Sequence, residues 1–163
     1  MDRELEDLAN KLGNACRENG YRVATAESCT GGWIAQVITS VAGSSDWFDS
    51  GFVTYSNDAK QAMLGVPSTL FEPAGPGAVS EETVRAMTAG ALANSHAQLA
   101  VAVSGIAGPG GGSSAKPVGT VWFSWQRAQA VRSECVVFPG DREQVRRATL
   151  VHALKGLIGL ASG

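Results

Sequence analysis

The sequence has few of the residues that build disulfide frameworks and metal sites. Its 163 residues include only three cysteines, Cys16, Cys29 and Cys135, and only two histidines, His96 and His152. The cysteines are odd in number and widely spaced, which predicts neither a disulfide framework nor a CxxC metal site. The histidines lie far apart on separate predicted helices, which favours structural roles over a metal site or a Ser-His-Asp triad. We expect a protein of the reducing cytoplasm.

Long apolar runs and an excess of basic charge are also missing. No uninterrupted apolar segment approaches ~20 residues, so we predict no signal peptide, no transmembrane helix and no membrane partner. A formal net charge of −2 argues against a domain that holds nucleic acid by its phosphates. The content of 44% hydrophobic and 17% charged residues suggests surface buried in a homo-oligomer. No repeat or linker divides residues 1–163, which predicts a single domain.

The apolar pattern changes repeatedly between helical and strand period, as is typical of an α/β domain. Gly20 is expected to stop the first helix, and Asn57, Ser80 and Asp141 are expected to cap later ones. The predicted helices span 5–20, 30–43, 57–64, 81–95 and 141–159, and the predicted strands span 22–26, 52–55, 97–108, 119–126 and 132–138.

Two strand ends carry small polar residues and glycines, TAESCTGGW at 25–33 and VSGIAGPGGGSSAKPVG at 103–119. Ligands usually bind at the carboxyl ends of parallel strands, where helix N-termini point their N–H groups outward. The second stretch can fold its backbone N–H groups into an anion-binding nest, or it can simply turn the chain. It does not match the GxxxxGK[ST] pattern, so no ATP-cradling P-loop is predicted.

The first strand end offers two candidate nucleophiles, Ser28 and Cys29. Cys29 needs a stabilised thiolate and a base, and without a nearby histidine it is equally interpreted as a small buried thiol. For Ser28 the candidate base is Lys60 in YSNDAK, five residues after Tyr55. Lysine acts as a base only when neutral, a form that costs roughly 4.6 kcal/mol at pH 7 from a pKa of about 10.4, and burial lowers that cost.

The alternative is that Ser28 caps the second helix, Tyr55 ends a strand and Lys60 is a solvated helix residue. On residue types alone this alternative is favoured.

Four stretches, in order and in spacing, closely resemble the CinA C-terminal family: TAESCTGG, SGFVTYSNDAK, AVSGIAGPGGGSSAKPVGTVWF and FPGDREQVR. The resemblance covers nearly the whole chain and is closest to the stand-alone form, the nicotinamide-nucleotide amidases. It implies deamidation of nicotinamide mononucleotide to nicotinate mononucleotide and ammonia, in pyridine nucleotide salvage. It also implies a three-layer α/β/α sandwich with a mixed, mostly parallel sheet, no metal or other cofactor, and a homo-oligomer.

The resemblance implies a catalytic set of Ser28 as nucleophile, Lys60 as its base and Tyr55 as a proton relay. We expect backbone N–H groups near 30–32 to stabilise the oxyanion. The glycine-rich loop with Lys116 is expected to line the nucleotide pocket.

Arg142 is the expected phosphate partner, and Glu27 either orients Lys60, contacts the ribose or forms an ion pair that steadies the turn. The predicted substrate-binding residues are Glu27, Thr30, Gly31, Gly32, Ser104, Gly105, Ala107, Gly108, Lys116 and Arg142.

Two other functions stay open. One is a non-catalytic nucleotide-binding module that acts through partners in competence or DNA-damage responses, and the other is a hydrolase of another small amide. The presence of Ser28, Tyr55 and Lys60 together counts against the binding module, which needs no such set.

Overall fold

The computed structural model describes residues 2–163. The elements in chain order are α1 Arg3–Asn19, β1 Val23–Glu27, α2 Trp33–Thr39, β2 Phe48–Val53, α3 Asn57–Leu64, α4 Glu81–Ala93, β3 Leu99–Gly105, β4 Thr120–Arg127, β5 Ala130–Val137 and α5 Arg142–Ser162. Among these described residues, no helix combines the length and the hydrophobicity that crossing a bilayer requires.

The five strands form one mixed sheet in the order β2-β1-β3-β4-β5. Strand β1 pairs in parallel with β2 and with β3, whereas β4 runs antiparallel to both of its neighbours. The expected mixed sheet is confirmed, but the expectation that it is mostly parallel is wrong, because two of its four pairings are parallel and two are antiparallel. Because β1, β2 and β3 run in the same direction, their carboxyl ends meet at one edge of the sheet.

The sheet separates two apolar layers. Helices α1, α2 and α5 cover one face, and α3 and α4 cover the other. Since side chains alternate along a strand, Val23 of β1 faces the first layer while Ala24 and Ala26 face the second. The small side chains on the second face allow α4 to approach the sheet closely. This arrangement confirms the three-layer α/β/α sandwich.

Most of the predicted helix ends are confirmed. Gly20 ends α1 in a left-handed conformation with φ 71°, the Ser80 side chain accepts from Thr83 N at the start of α4, and Asp141 caps α5. The prediction for Asn57 is wrong, because Ser56 is the cap of α3: its Oγ lies 3.0 Å from Ala59 N. Asn57 is instead the first helical residue.

Three predicted elements differ from the structure. The second helix is shorter than 30–43, because Gly31 and Gly32 have φ values of 61° and 100° and keep the chain out of the helix until Trp33. The predicted strand 52–55 begins earlier, at Phe48, and ends at Val53. His96 was expected on a helix, but α4 ends at Ala93 and His96 lies exposed in the bend that follows.

Gly90 of α4 is the point of closest approach between α4 and α3. A methyl group at Gly90 would lie 2.0 Å from the carbonyl oxygen of Leu64 at the end of α3. We expect Gly90→Ala to lower the free energy of unfolding by about 2 kcal/mol. The close approach to a main-chain atom puts the overpacking cost at the upper end of roughly 1–3 kcal/mol, and the gain in helix propensity returns only about 1 kcal/mol. Urea denaturation followed by circular dichroism measures the change.

Gly159→Ala in α5 is the matched control, since no atom lies within 4 Å of the added methyl group. It is expected to leave the unfolding free energy unchanged or to raise it by up to about 1 kcal/mol. A Gly90→Ala protein as stable as the Gly159→Ala protein would contradict the packing of α3 on α4.

Candidate active site

Three strand ends bring polar groups together at one edge of the sheet. Ser28 follows β1 directly, Thr54 follows β2, and Ser104 lies near the end of β3. The N–H of Ser28 donates to Val103 O at 3.1 Å, which ties the residue to β3 beyond the end of its own strand. Only 8% of the Ser28 surface is exposed. Ser28 is therefore held by main-chain contacts in a sheltered position.

Lys60 of α3 is the polar side chain nearest to the Ser28 hydroxyl. Its Nζ lies 3.0 Å from Ser28 Oγ, 2.8 Å from Thr54 O and 3.1 Å from Tyr55 O. The Ser56 cap starts α3 directly after the end of β2, so Lys60 lies one turn into the helix and its side chain returns to that strand end. Lys60 is only 1% exposed. The structure thus brings Ser28 and Lys60 into direct contact, as expected from the sequence.

The environment of Lys60 favours its neutral form. Burial lowers the pKa of Lys60 from 10.5 to about 8, although the nearby Cys29 acts in the opposite direction. Among residues 2–163, no carboxylate lies within 4 Å of its Nζ. A neutral amine has two N–H donors and one lone pair, which match the two carbonyls of Thr54 and Tyr55 and the hydroxyl of Ser28. The geometry suits a general base.

Cys29 is a poor nucleophile in this structure. Its side chain is buried, and burial raises the pKa of the Cys29 thiol to about 11. The thiol is therefore protonated at neutral pH, whereas the thiolate is the reactive form. This supports the interpretation of Cys29 as a small buried thiol and favours Ser28 as the nucleophile.

Tyr55 contacts the pair through its backbone. Its carbonyl oxygen accepts from Lys60 Nζ and, at 3.4 Å, from Ser28 Oγ. The side chain is 64% exposed, and its hydroxyl lies 3.5 Å from Nη2 of Arg142. The expected proximity of Tyr55 is present, but the phenol lies at the edge of the site and makes no hydrogen bond to either member of the pair.

A cavity of about 300 Å³ opens above the pair, and half of the predicted substrate-binding residues line it. Ser28 and Lys60 form its floor, and Tyr55 and Arg142 also line it. One wall comes from β3 and the glycine-rich loop, with Ser104, Gly105, Ala107 and Gly108. The other wall contains Ala78 and Val79. Sequence reasoning missed these last two, because small apolar residues in a Pro/Gly-rich loop carry no chemical signature.

Lys116 lies outside this cavity wall. Its Nζ donates to Pro76 O at 2.7 Å, so it joins the glycine-rich loop to the loop that carries Ala78. Arg142 has a similar contact, since its Nη1 donates to Gly108 O at 2.8 Å. Both cations therefore hold cavity loops in place, and only Arg142 also lines the cavity.

Glu27 contacts neither Lys60 nor the cavity. It is fully buried, and its carboxylate accepts from Thr30 Oγ1 at 2.5 Å, Ile34 N at 2.9 Å and Ala35 N at 3.0 Å. Burial raises the pKa of the Glu27 carboxyl, and these hydrogen bonds act in the opposite direction. Glu27 thus stabilises the start of α2, where the helix dipole favours a negative charge. The position of Glu27 just before a helix is the sequence feature from which this role could have been predicted.

Thr30, Gly31 and Gly32 face a second, shallower hollow beside Trp33 and Arg146. Arg142 lines both this hollow and the Ser28 cavity. The structure therefore does not bring the three residues into the cavity wall, contrary to the expectation for substrate-binding groups.

The chain is similar over nearly its whole length to proteins of one family. The family model of the CinA C-terminal domain matches residues 5–161. The nicotinamide-nucleotide amidohydrolase PncC of Pseudomonas putida is 57% identical over 158 residues, which cover 97% of this chain and 98% of that protein. The PncC protein of Escherichia coli strain K12 is 53% identical over 159 residues, with coverages of 96% and 94%.

A solved structure has the same fold. The crystal structure of the competence/damage inducible protein CihA from Agrobacterium tumefaciens matches with a TM-score of 0.92 and 46% identity, and the match covers 96% of this chain and 95% of that one.

The lowered pKa of Lys60 predicts how the reactivity of Ser28 depends on pH. A protonated lysine cannot accept the serine proton, so the rate should rise about tenfold per pH unit below the pKa of about 8 and level off above it. At pH 7 roughly a tenth of the molecules would carry neutral Lys60. The rate of Ser28 modification by a fluorophosphonate, measured from about pH 6 to about pH 9.5, checks this.

Ser28→Ala gives the background of that measurement, and the modified residue is identified by peptide mass spectrometry. A rate that is constant over the whole pH range would show that Lys60 does not supply the base.

Proposed function

The chain belongs to the CinA C-terminal domain family, and we propose that it is a nicotinamide-nucleotide amidase, which hydrolyses nicotinamide mononucleotide to nicotinate mononucleotide and ammonia. The observation that carries this proposal is the buried contact of 3.0 Å between Lys60 Nζ and Ser28 Oγ on the floor of a cavity. The relatives named PncC, at 57% and 53% identity, support the choice of substrate. The reaction serves the salvage of pyridine nucleotides.

The first step is the acylation of Ser28. Neutral Lys60 takes the proton of the serine hydroxyl while Ser28 Oγ attacks the carboxamide carbon, so the O–C bond forms and the carbonyl oxygen becomes an oxyanion. The lysine then carries three N–H donors, and the carbonyls of Thr54 and Tyr55 already accept two of them. The site therefore stabilises the transient ammonium without a carboxylate.

The second step expels ammonia. The oxyanion collapses, the C–N bond breaks, and the nitrogen leaves with the proton that Lys60 took from Ser28. We assign to the Tyr55 phenol the role of passing this proton, since its exposed side chain is free to turn toward the cavity that it lines. Water then attacks the ester with Lys60 again as the base, and nicotinate mononucleotide is released.

The phosphate of the substrate is assigned to Arg142. This residue is the first of α5, where the positive end of the helix dipole adds to the guanidinium charge. Among residues 2–163 no carboxylate lies within 4 Å of the Arg142 guanidinium. Gly110 and Gly111 line the same cavity and present backbone without side chains.

We also propose that the protein acts in the cytoplasm as a homo-oligomer, without a nucleic-acid or membrane partner. The three cysteines are unpaired, and Cys135 is exposed, which suits a reducing compartment. The exposed apolar side chains of Val53, Met63 and Val137 are compatible with contacts between subunits. These points stay predictions.

Incubation of the purified protein with nicotinamide mononucleotide, without added metal, tests the activity. We expect ammonia and nicotinate mononucleotide in equal amounts. Lys60→Ala should lower kcat by about 10²- to 10⁴-fold, the usual contribution of a general base, and Ser28→Ala should abolish turnover. Lys11→Ala, an exposed lysine of α1, is the control and should behave as wild type.

Each contrary result has a definite meaning. Full activity of Ser28→Ala would end the proposal for Ser28 and turn attention to Cys29. No turnover of nicotinamide mononucleotide by the wild type, with binding still detectable by thermal shift, would refute the proposed activity and favour another amide or a non-catalytic module.

A further inference from the structure

Arg146 of α5 reaches the backbone directly after Ser28. Its Nε donates to Cys29 O at 3.1 Å, and its Nη2 donates to Thr30 O at 3.2 Å. Both acceptors belong to the turn that connects the nucleophile to α2. A residue 116 positions away in the sequence from Thr30 thus holds the carbonyl groups of the two residues that follow Ser28.

The first residue of the same turn lines the cavity. Cys29 is part of the Ser28 cavity wall, whereas Thr30 is fully buried and lies outside it. The N–H of Gly31 donates to Ser28 O at 3.1 Å. In a trans peptide the N–H points opposite to the carbonyl of the same plane. The contact of Gly31 N with Ser28 O fixes the peptide that carries the Cys29 N–H, and the contact of Arg146 with Cys29 O fixes the next peptide. Free backbone donors directly after a nucleophile are a common source of oxyanion stabilisation.

The surroundings of Arg146 suit this contact better than an ordinary surface ion pair. Its guanidinium carbon lies 5.6 Å from the centroid of the Trp33 ring, a distance at which a cation–π interaction adds to the hydrogen bonds. Among residues 2–163 no carboxylate lies within 4 Å of it, whereas the adjacent Arg147 pairs with Asp2 and Glu4 at 2.7 Å each. The charge of Arg146 is thus directed at two carbonyl oxygens.

The two ends of the turn have different anchors. Glu27 fixes the α2 side through Thr30 Oγ1, Ile34 N and Ala35 N. Without Arg146, the peptide between Cys29 and Thr30 would have no other donor to its carbonyl within residues 2–163. Arg146 reaches the two carbonyls with Nε and Nη2, two donors of one rigid planar group, whereas a lysine at this position would offer a single nitrogen on a flexible stem.

We propose that Arg146 is a positioning residue of the amidase: it holds the turn after Ser28 so that the N–H of Cys29, the residue of this turn that lines the Ser28 cavity, binds the oxyanion. The inference rests on the proposed function, because that oxyanion is formed from the carboxamide of the substrate. Arg146 acts through the backbone and touches no reacting atom.

The test compares Arg146→Ala and Arg146→Lys with Arg147→Ala. Arg146→Ala should lower kcat for nicotinamide mononucleotide by about 10²-fold, the scale on which the loss of an oxyanion donor acts, with KM within about threefold of wild type. Arg146→Lys keeps the charge but lacks the fork, so kcat should still fall at least about tenfold. Arg147→Ala controls for the loss of an arginine from the same helix turn and should keep wild-type kcat.

A second readout does not depend on the substrate. The rate of Ser28 modification by a fluorophosphonate, whose phosphoryl oxygen also needs donors, should fall with kcat in both Arg146 variants. Thermal unfolding confirms that each variant is folded. If Arg146→Ala does not fold, the Arg146→Lys variant by itself tests the role of Arg146.

Wild-type kcat and labelling rates in the Arg146 variants would overturn the proposal, as would a rise in KM at constant kcat, which is the sign of a substrate contact. If the wild type does not hydrolyse nicotinamide mononucleotide, the proposed function fails, and the labelling rates still decide. Equal rates in wild type and Arg146→Lys, including no labelling of either, overturn the role of Arg146.

Discussion

The removal of the Lys60 amine from water is the constraint on which the site depends. An ammonium group in the same position loses its hydration and finds no carboxylate, so burial favours the neutral amine. Main-chain groups of the fold hold the Lys60 amine in this position. The end of β2 supplies two carbonyls, Ser56 starts α3 directly after this strand, and Gly90 lets α4 pack closely against the end of α3. A lysine on a surface helix with the same sequence neighbours would stay charged.

Glu27 is a second buried ionisable group, and it is adjacent to Ser28 in sequence but contacts a different part of the structure. Glu27 and Ser28 are consecutive, and the alternation of side chains along β1 directs them to opposite faces of the sheet. Glu27 meets the N-terminus of α2, whereas Ser28 meets Lys60 from α3. The sheet therefore keeps the carboxylate away from the lysine. Direct contact between the two would stabilise the ammonium and raise the pKa of the base.

Sequence reasoning succeeded where the determinant was local. Caps at Ser80 and Asp141 and the stop at Gly20 follow from the residue type and the next turn of chain. The resemblance placed Ser28 beside Lys60, a pair that the residue types alone did not favour. One of the expected roles of Glu27 was to orient Lys60. The alternation of side chains along β1 already places Glu27 and Ser28 on opposite faces of the sheet, so this role could have been excluded from the sequence.

Other contacts had no local signal. Lys116 binds Pro76 O and Arg146 binds Cys29 O. In both cases the partner is a main-chain carbonyl, which every residue has, so neither the type nor the spacing of the side chains announces the contact. The late start of α2 depends on two positive φ values that glycine permits but does not require.

The floor and the walls of the Ser28 cavity come from different parts of the chain. Strand ends and a buried helix turn fix the floor, whereas surface loops that contain Ala78, Val79 and the glycines build the walls. Mutations in such loops cost little stability compared with changes in the sheet. Changes in these loops can therefore alter the shape of the cavity while the contact between Ser28 and Lys60 stays intact. The same fold can therefore keep the Ser28–Lys60 pair while the loops of the cavity wall change which molecule binds.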